Sequence, residues 1–182
     1  RRFSYRKNVV AASIHPSLAA MLVSLAKPYL KENAQILDPF CGVGTMLIER
    51  DIAQPAREKY GIDILDGDEG ARENASLAGE KINLSIGDYL ILNTIICLMD
   101  YYQYAGEGQT SRAVRLDDTL MLPFFEKIKE IFNTGWSNDF FIRNEEGMVK
   151  KHLRLHSEYR LIQEFVISEK RHFSLYIVGI KG

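Results

Sequence analysis

Two carboxylates and two glycines define the chemistry open to this chain. Asp38 opens the run Asp38-Pro39-Phe40-Cys41-Gly42-Val43-Gly44-Thr45-Met46, and Asp63 follows Gly44 by 19 positions. Gly42 and Gly44 permit positive φ and let a ligand approach the backbone where a side chain would clash. A strand, such a turn and a helix start in succession make a small-molecule cradle at the carboxyl end of a parallel strand. A phosphate loop needs a Gly-Lys-Ser/Thr ending and the dinucleotide fingerprint needs a third glycine. This turn has neither. Its opening carboxylate repels phosphate and suits a cationic or amine-bearing ligand. An acid about 20 residues beyond such a turn meets a ribose diol, and a carboxylate, being an acceptor only, takes both hydroxyls as donors. Asp63 fits that role. The alternative is an ordinary aspartate ending a strand.

The residues Asp-Pro-Phe-Cys-Gly-x-Gly-Thr resemble the first motif of the class I methyltransferases, in the branch of RNA and DNA amino-methyltransferases that includes the THUMP-associated (UPF0020-like) RNA methylases. The resemblance implies S-adenosylmethionine as cofactor, whose ammonium and sulfonium suit the acidic turn. It places Asp38, Phe40, Cys41, Gly42, Gly44, Thr45, Asp63 and Ile64 around that cofactor. Asp88, followed by Tyr89, would accept a hydrogen bond from the adenine amino group, with a simple turn aspartate as rival. Ser13 and His15 would reach the methionine end, unless Ser13 or Ser17 merely caps a helix. Cys41 reads as a small buried residue, not a nucleophile.

Family members place Asp/Asn-Pro-Pro-Tyr or a variant after the fourth strand, where a polar group accepts from the target amine and an aromatic stacks on the extruded base. Here the chain departs from the pattern, with Asp100-Tyr101-Tyr102-Gln103-Tyr104 and no proline. Asp100 stands as the acceptor and Tyr101 or Tyr102 as the stacking face. The implied reaction is methyl transfer to the exocyclic amine of a base in structured RNA, tRNA or rRNA, with guanine favoured. Adenine in DNA, or an inactive cofactor-binding partner module, are the alternatives.

The elements that position these residues are legible in outline. Strand-like runs cover Ala34–Leu37, Lys59–Ile64, Ile82–Ile86, Thr94–Met99 and Asp139–Arg143. A first helix is opened by Ser13-Ile14-His15-Pro16-Ser17 and ended by Pro28, and helical spacing appears again from Met46 to Ala53, Asp66 to Gly79, Thr119 to Phe132 and Met148 to Leu155. Gly106 to Asp118 reads as an exposed loop, and Trp136 as packing. Arg160–Ser168 and Phe173–Ile180 are separated by too few residues for a crossover helix, so they pair antiparallel. The expected fold is α/β and Rossmann-like: a mostly parallel seven-stranded sheet with helices on both faces and a carboxyl-terminal antiparallel hairpin.

The 182 residues suit one domain, with 46% hydrophobic and 26% charged residues typical of a globular protein. A net charge of −1 argues against a self-sufficient nucleic-acid binder. Because the chain starts at Arg1, it reads as a catalytic domain excised from a longer protein, and the resemblance implies an upstream RNA-binding domain that supplies most RNA affinity. The basic carboxyl-terminal third, including Lys150, Lys151, His152 and Arg154, reads chiefly as a solvated face. Two cysteines without metal spacing suit a reduced, cytoplasmic compartment. No run is long enough to span a bilayer, and no metal cluster is expected.

Overall fold

The computed structural model describes residues 2–10, 13–30, 32–38, 40–63, 68–86, 98–100, 126, 139–144, 148–168 and 172–180. Helix α1 (Pro16–Ala26) starts at a proline, whose missing N–H and fixed φ suit the first helical position. A single 3-10 turn, Lys27–Tyr29, continues it through Pro28. The cap is neither serine: His15 Nδ1 accepts from the Ser17 N–H at 3.3 Å.

Strand β1 (Gln35–Asp38), helix α2 (Thr45–Ala53), strand β2 (Glu58–Asp63), helix α3 (Asp68–Ala78) and strand β3 (Asn83–Ile86) alternate as expected for parallel strands with crossover helices. The three strands pair in parallel in the order β1-β2-β3, with Asp38 opposite Gly61 and Asp63 opposite Ile86. Strand β4 (Leu98–Asp100), strand β5 (Asp139–Asn144), helix α4 (Met148–Leu155), strand β6 (Tyr159–Ser168) and strand β7 (His172–Ile180) follow. Their sheet has the order β4-β5-β7-β6, in which β4 and β5 are parallel and β7 runs antiparallel to both neighbours.

The expected single seven-stranded sheet is therefore corrected. Among the described residues seven strands occur, but they form hydrogen-bonded groups of three and four. The break falls between β1 and β4, which lie against each other without a ladder. Of the strand expected at Thr94–Met99, residues 94–97 lie outside the described residues. The antiparallel hairpin is as expected.

Alternation along β7 assigns the helices to opposite faces of the second sheet. Leu175 and Ile177 pack with Leu22, Val23 and Ala26 of α1 and Met46 of α2. On the other face Ser174 Oγ donates to Glu164 Oε1 at 3.0 Å, and Lys150 of α4 pairs with Glu164 Oε2 at 2.7 Å. A second cluster, Ile36, Cys41, Leu47, Ile48, Ala75 and Ile82, joins β1, α2 and α3, with Tyr5 packed into it.

One charged brace lies at the β2 end remote from Asp63. Lys59 Nζ sits 2.9 Å from Asp51 Oδ1 and 3.1 Å from Glu80 Oε2. Burial opposes the Lys59 charge, but hydrogen bonds and attraction from both carboxylates outweigh it and raise the Lys59 pKa. The hydrogen bond that Glu80 donates to Asp51, with burial, raises Glu80. Burial would raise Asp51 too, but bonds from Glu80, the Ala56 N–H and Lys59 lower it.

Candidate functional site

The glycine turn is built by its own backbone. The Cys41 N–H donates to the Ile62 carbonyl at 2.9 Å, and the Gly44 N–H closes the turn on the Cys41 carbonyl at 2.8 Å. Gly42 (φ 49°) and Gly44 (φ 78°) are both left-handed, where a side chain would be strained. Gly44 also caps α2, and its carbonyl accepts from the Ile48 N–H at 3.0 Å. Asp38, buried at the end of β1, turns its carboxylate on the Phe40 N–H at 3.0 Å.

Asp63 meets this turn directly. Its Oδ2 accepts from the Gly42 N–H at 2.8 Å, so the acid at the end of β2 touches the bend after β1. Among the described residues, the atoms nearest a Cβ placed on Gly42 are Asp63 Oδ2 and Val10 Cγ2, both at 4.0 Å. A carboxylate and a methyl thus edge the position above Gly42. Phe40, Gly42 and Asp63 are half-buried, whereas Cys41, Val43, Gly44 and Thr45 are buried behind them. Thr45 Oγ1 is buried and has no hydrogen-bond partner among the described residues.

Gly61, opposite Asp38, supports the turn from β2. A Cβ there would lie 2.8 Å from Cys41 Sγ and 2.7 Å from Leu84 Cδ2, so Cys41 seats on a bare strand backbone. Helix α3 closes the other side, with Ala71 Cβ 3.7 Å from the Cβ position of Gly44. Tyr5 on the amino-terminal segment donates to Glu49 Oε1 of α2 at 2.6 Å inside the core. Burial, reinforced by that bond, pushes the Tyr5 hydroxyl far above the usual phenol range.

The structure thus unites Asp38, Phe40, Cys41, Gly42, Gly44, Thr45 and Asp63. Ser13 and His15 are engaged locally: Ser13 Oγ accepts from the Val10 N–H at 3.0 Å, and His15 caps α1. Asp100 ends β4, as Asp38 ends β1 and Asp63 ends β2. Ile64, Asp88, Tyr89, Tyr101, Tyr102, Trp136, the loop 106–118 and the helix expected from 119 to 132 lie outside the described residues, apart from helical Glu126. In the basic stretch Lys151 and Arg154 are exposed, as a solvated face requires, whereas His152 is buried and Lys150 pairs with Glu164. Among the described residues no cluster of three or more His, Cys, Asp or Glu could hold a metal ion, and no helix is long and apolar enough to cross a membrane.

Asn74, Val10, Gly61 and the Tyr5–Glu49 pair were not evident as site residues from the sequence. One signal was available for Asn74: it shares a helical face with Ala71, Ala75 and Ala78, an amide among small apolar residues.

A glycine bend after the first strand, an acid ending the second and a closing antiparallel hairpin are features of the Rossmann-like methyltransferase fold. The match to solved structures bears the fold out. PH1948 from Pyrococcus horikoshii, described as a candidate RNA methyltransferase, superposes with TM-score 0.70 at 16% identity, covering 96% of this chain and 91% of that one. Magnesium protoporphyrin IX methyltransferase from Synechocystis, solved with bound S-adenosylmethionine, gives TM-score 0.60 at 16% identity over 92% of this chain and 80% of that one. The B. subtilis tRNA methyltransferase TrmK gives TM-score 0.59 at 12% identity over 87% and 65%. Residues 4–61, about a third of the chain, match the UPF0020 family model, described as RMKL-like, methyltransferase domain. No curated protein matches the sequence significantly.

Proposed function

We propose that this chain is an S-adenosylmethionine-dependent methyltransferase that modifies the exocyclic amine of a base in structured RNA, tRNA or rRNA, with guanine favoured. One observation carries the cofactor assignment: the Asp63 carboxylate accepts from the Gly42 N–H at 2.8 Å, which ties the acid ending β2 to a left-handed glycine of the turn. A carboxylate offers about four acceptor positions. Asp63 joins the turn, and the reading gives its carboxylate the ribose diol as well. Gly42 admits the ligand to the backbone, and the acids Asp38 and Asp63 favour a cationic one. When bound, the cofactor supplies a methyl group already activated by a positive sulfonium.

The chain's own task is then orientation. Asp100, at the end of β4, accepts a hydrogen bond from the target amine and directs its lone pair, while Tyr101 or Tyr102 holds the base by stacking. RNA as substrate is supported by the family match of the amino-terminal third and by the descriptions of PH1948 and TrmK. The porphyrin enzyme shares the fold, so the fold alone leaves the substrate open.

Calorimetric titration with S-adenosylhomocysteine, followed by labelled methyl transfer to unmodified tRNA, rRNA and DNA, tests the reading. Asp63→Ala is expected to weaken binding about tenfold or more, a cost of ~1.4 kcal/mol. Asp100→Ala should keep binding and lose turnover. Label appearing only in DNA would end the RNA assignment. Binding without transfer to any of the three would favour the inactive module, which the missing proline after β4 motivates.

A further inference from the structure

The segment from Lys7 to Val10 is tied to the glycine turn more firmly than a connector requires. Asn74 of α3 is fully buried and its amide is saturated. Its Oδ1 accepts from the Lys7 and Asn8 N–H groups, both at 3.0 Å. Its Nδ2 donates to the Asn8 carbonyl at 3.0 Å and to the Val43 carbonyl at 3.3 Å. One side chain thus joins the amino-terminal segment to the residue between the two left-handed glycines. Gly70, one helical turn earlier, admits the segment: a Cβ there would lie 3.0 Å from Asn8 Cβ.

Two residues beyond the clamp stands Val10. Its Cγ2 and Asp63 Oδ2 lie at the same 4.0 Å from the Cβ position of Gly42, so a methyl and a carboxylate flank one point above the turn. Val10 is nevertheless 43% exposed. An apolar side chain held at the mouth of a cradle, rather than in the core, is placed to meet a ligand.

We infer that Asn74 is a positioning residue for the cofactor site, and that Val10, which it holds in place, forms the apolar wall facing the nucleoside part of the ligand across from Asp63. The inference rests on the cofactor reading above. It adds a specificity element contributed by the segment that precedes α1. The clamp acts at two points at once, because the amide that docks Asn8 also bonds Val43 of the turn.

Binding of S-adenosylhomocysteine by calorimetry, with thermal unfolding measured in parallel, tests it on wild type, Val10→Ser, Asn74→Ala, the double variant, Asp63→Ala and Lys59→Met. Val10→Ser is expected to weaken binding about fivefold with little change in unfolding temperature, since the side chain is exposed. Asn74→Ala should weaken it about tenfold, and in that background Val10→Ser should add almost nothing, because the wall is already displaced. Lys59→Met, far from the turn, should lower stability and leave affinity intact. Independent, multiplying effects of Asn74→Ala and Val10→Ser would overturn the positioning role. Should Asn74→Ala fail to fold, Val10→Ser alone decides: wild-type affinity in that variant, where Asp63→Ala has lost it, overturns the inference alone. No binding by the wild-type chain overturns the cofactor reading and this inference with it.

Discussion

A single carboxylate at position 63 connects the two halves of the candidate site, because its bond to the Gly42 N–H makes the acid ending β2 part of the turn itself. That the acid and the bend belong together was legible from type and spacing, as was the bend around Asp38, Gly42 and Gly44, since each is marked locally in the sequence. Tyr5 was not. Its hydroxyl meets Glu49, 44 positions away, and nothing local marks either as a buried pair. Glu49 is 3% exposed, so loss of the donor leaves a buried carboxylate without its partner. Tyr5→Phe is therefore expected to cost about 2 kcal/mol in stability, measured by chemical denaturation, despite removing only one oxygen. Asn74 escaped notice for a related reason: a polar residue in a helix reads as solvent-facing until the segment it bonds is placed against it.

At the scale of elements, periodicity located β1, β2, α2, α3, α4 and the hairpin within a residue or two, while closely packed glycines gave no sign of their function. Gly61 lies in mid-strand, where glycine costs entropy and is used for close approach. A methyl there meets Leu84 at 2.7 Å and Cys41 at 2.8 Å. Gly61→Ala should lower stability by roughly 1–3 kcal/mol and, because Cys41 belongs to the turn, weaken S-adenosylhomocysteine binding as well; unchanged binding would show that the turn absorbs the shift. The brace of Asp51, Lys59 and Glu80 links α2, β2 and the entry to β3. A lysine whose folded pKa is raised contributes stability that is complete below roughly pH 10.4, its ordinary value, and is lost as pH rises through the raised one. Urea midpoints followed from neutral to strongly alkaline pH should fall more steeply in wild type than in Lys59→Met above that point. Parallel slopes would remove the brace from the account.

Across the whole molecule, the described strands divide at β1 and β4, next to the site that the fold class uses. The amino-terminal βαβαβ unit was read correctly because each strand is followed closely by its own helix. The departure from the family motif follows the strand expected at Thr94–Met99, a continuous apolar run whose period alone does not tell strand from helix. The other rim of the second sheet is β6, a long outer strand that exposes Leu161 at 40% and Val166 at 70%. Between Leu161 and Gln163 its ladder slips by one residue, because Ile162 is left over. Such a kink twists an open edge away from a flat template. Removing Ile162 should straighten the rim, and light scattering should then report growth of self-associated species with concentration, whereas the natural chain stays dispersed. One surplus isoleucine, by this account, keeps neighbouring copies from zipping together.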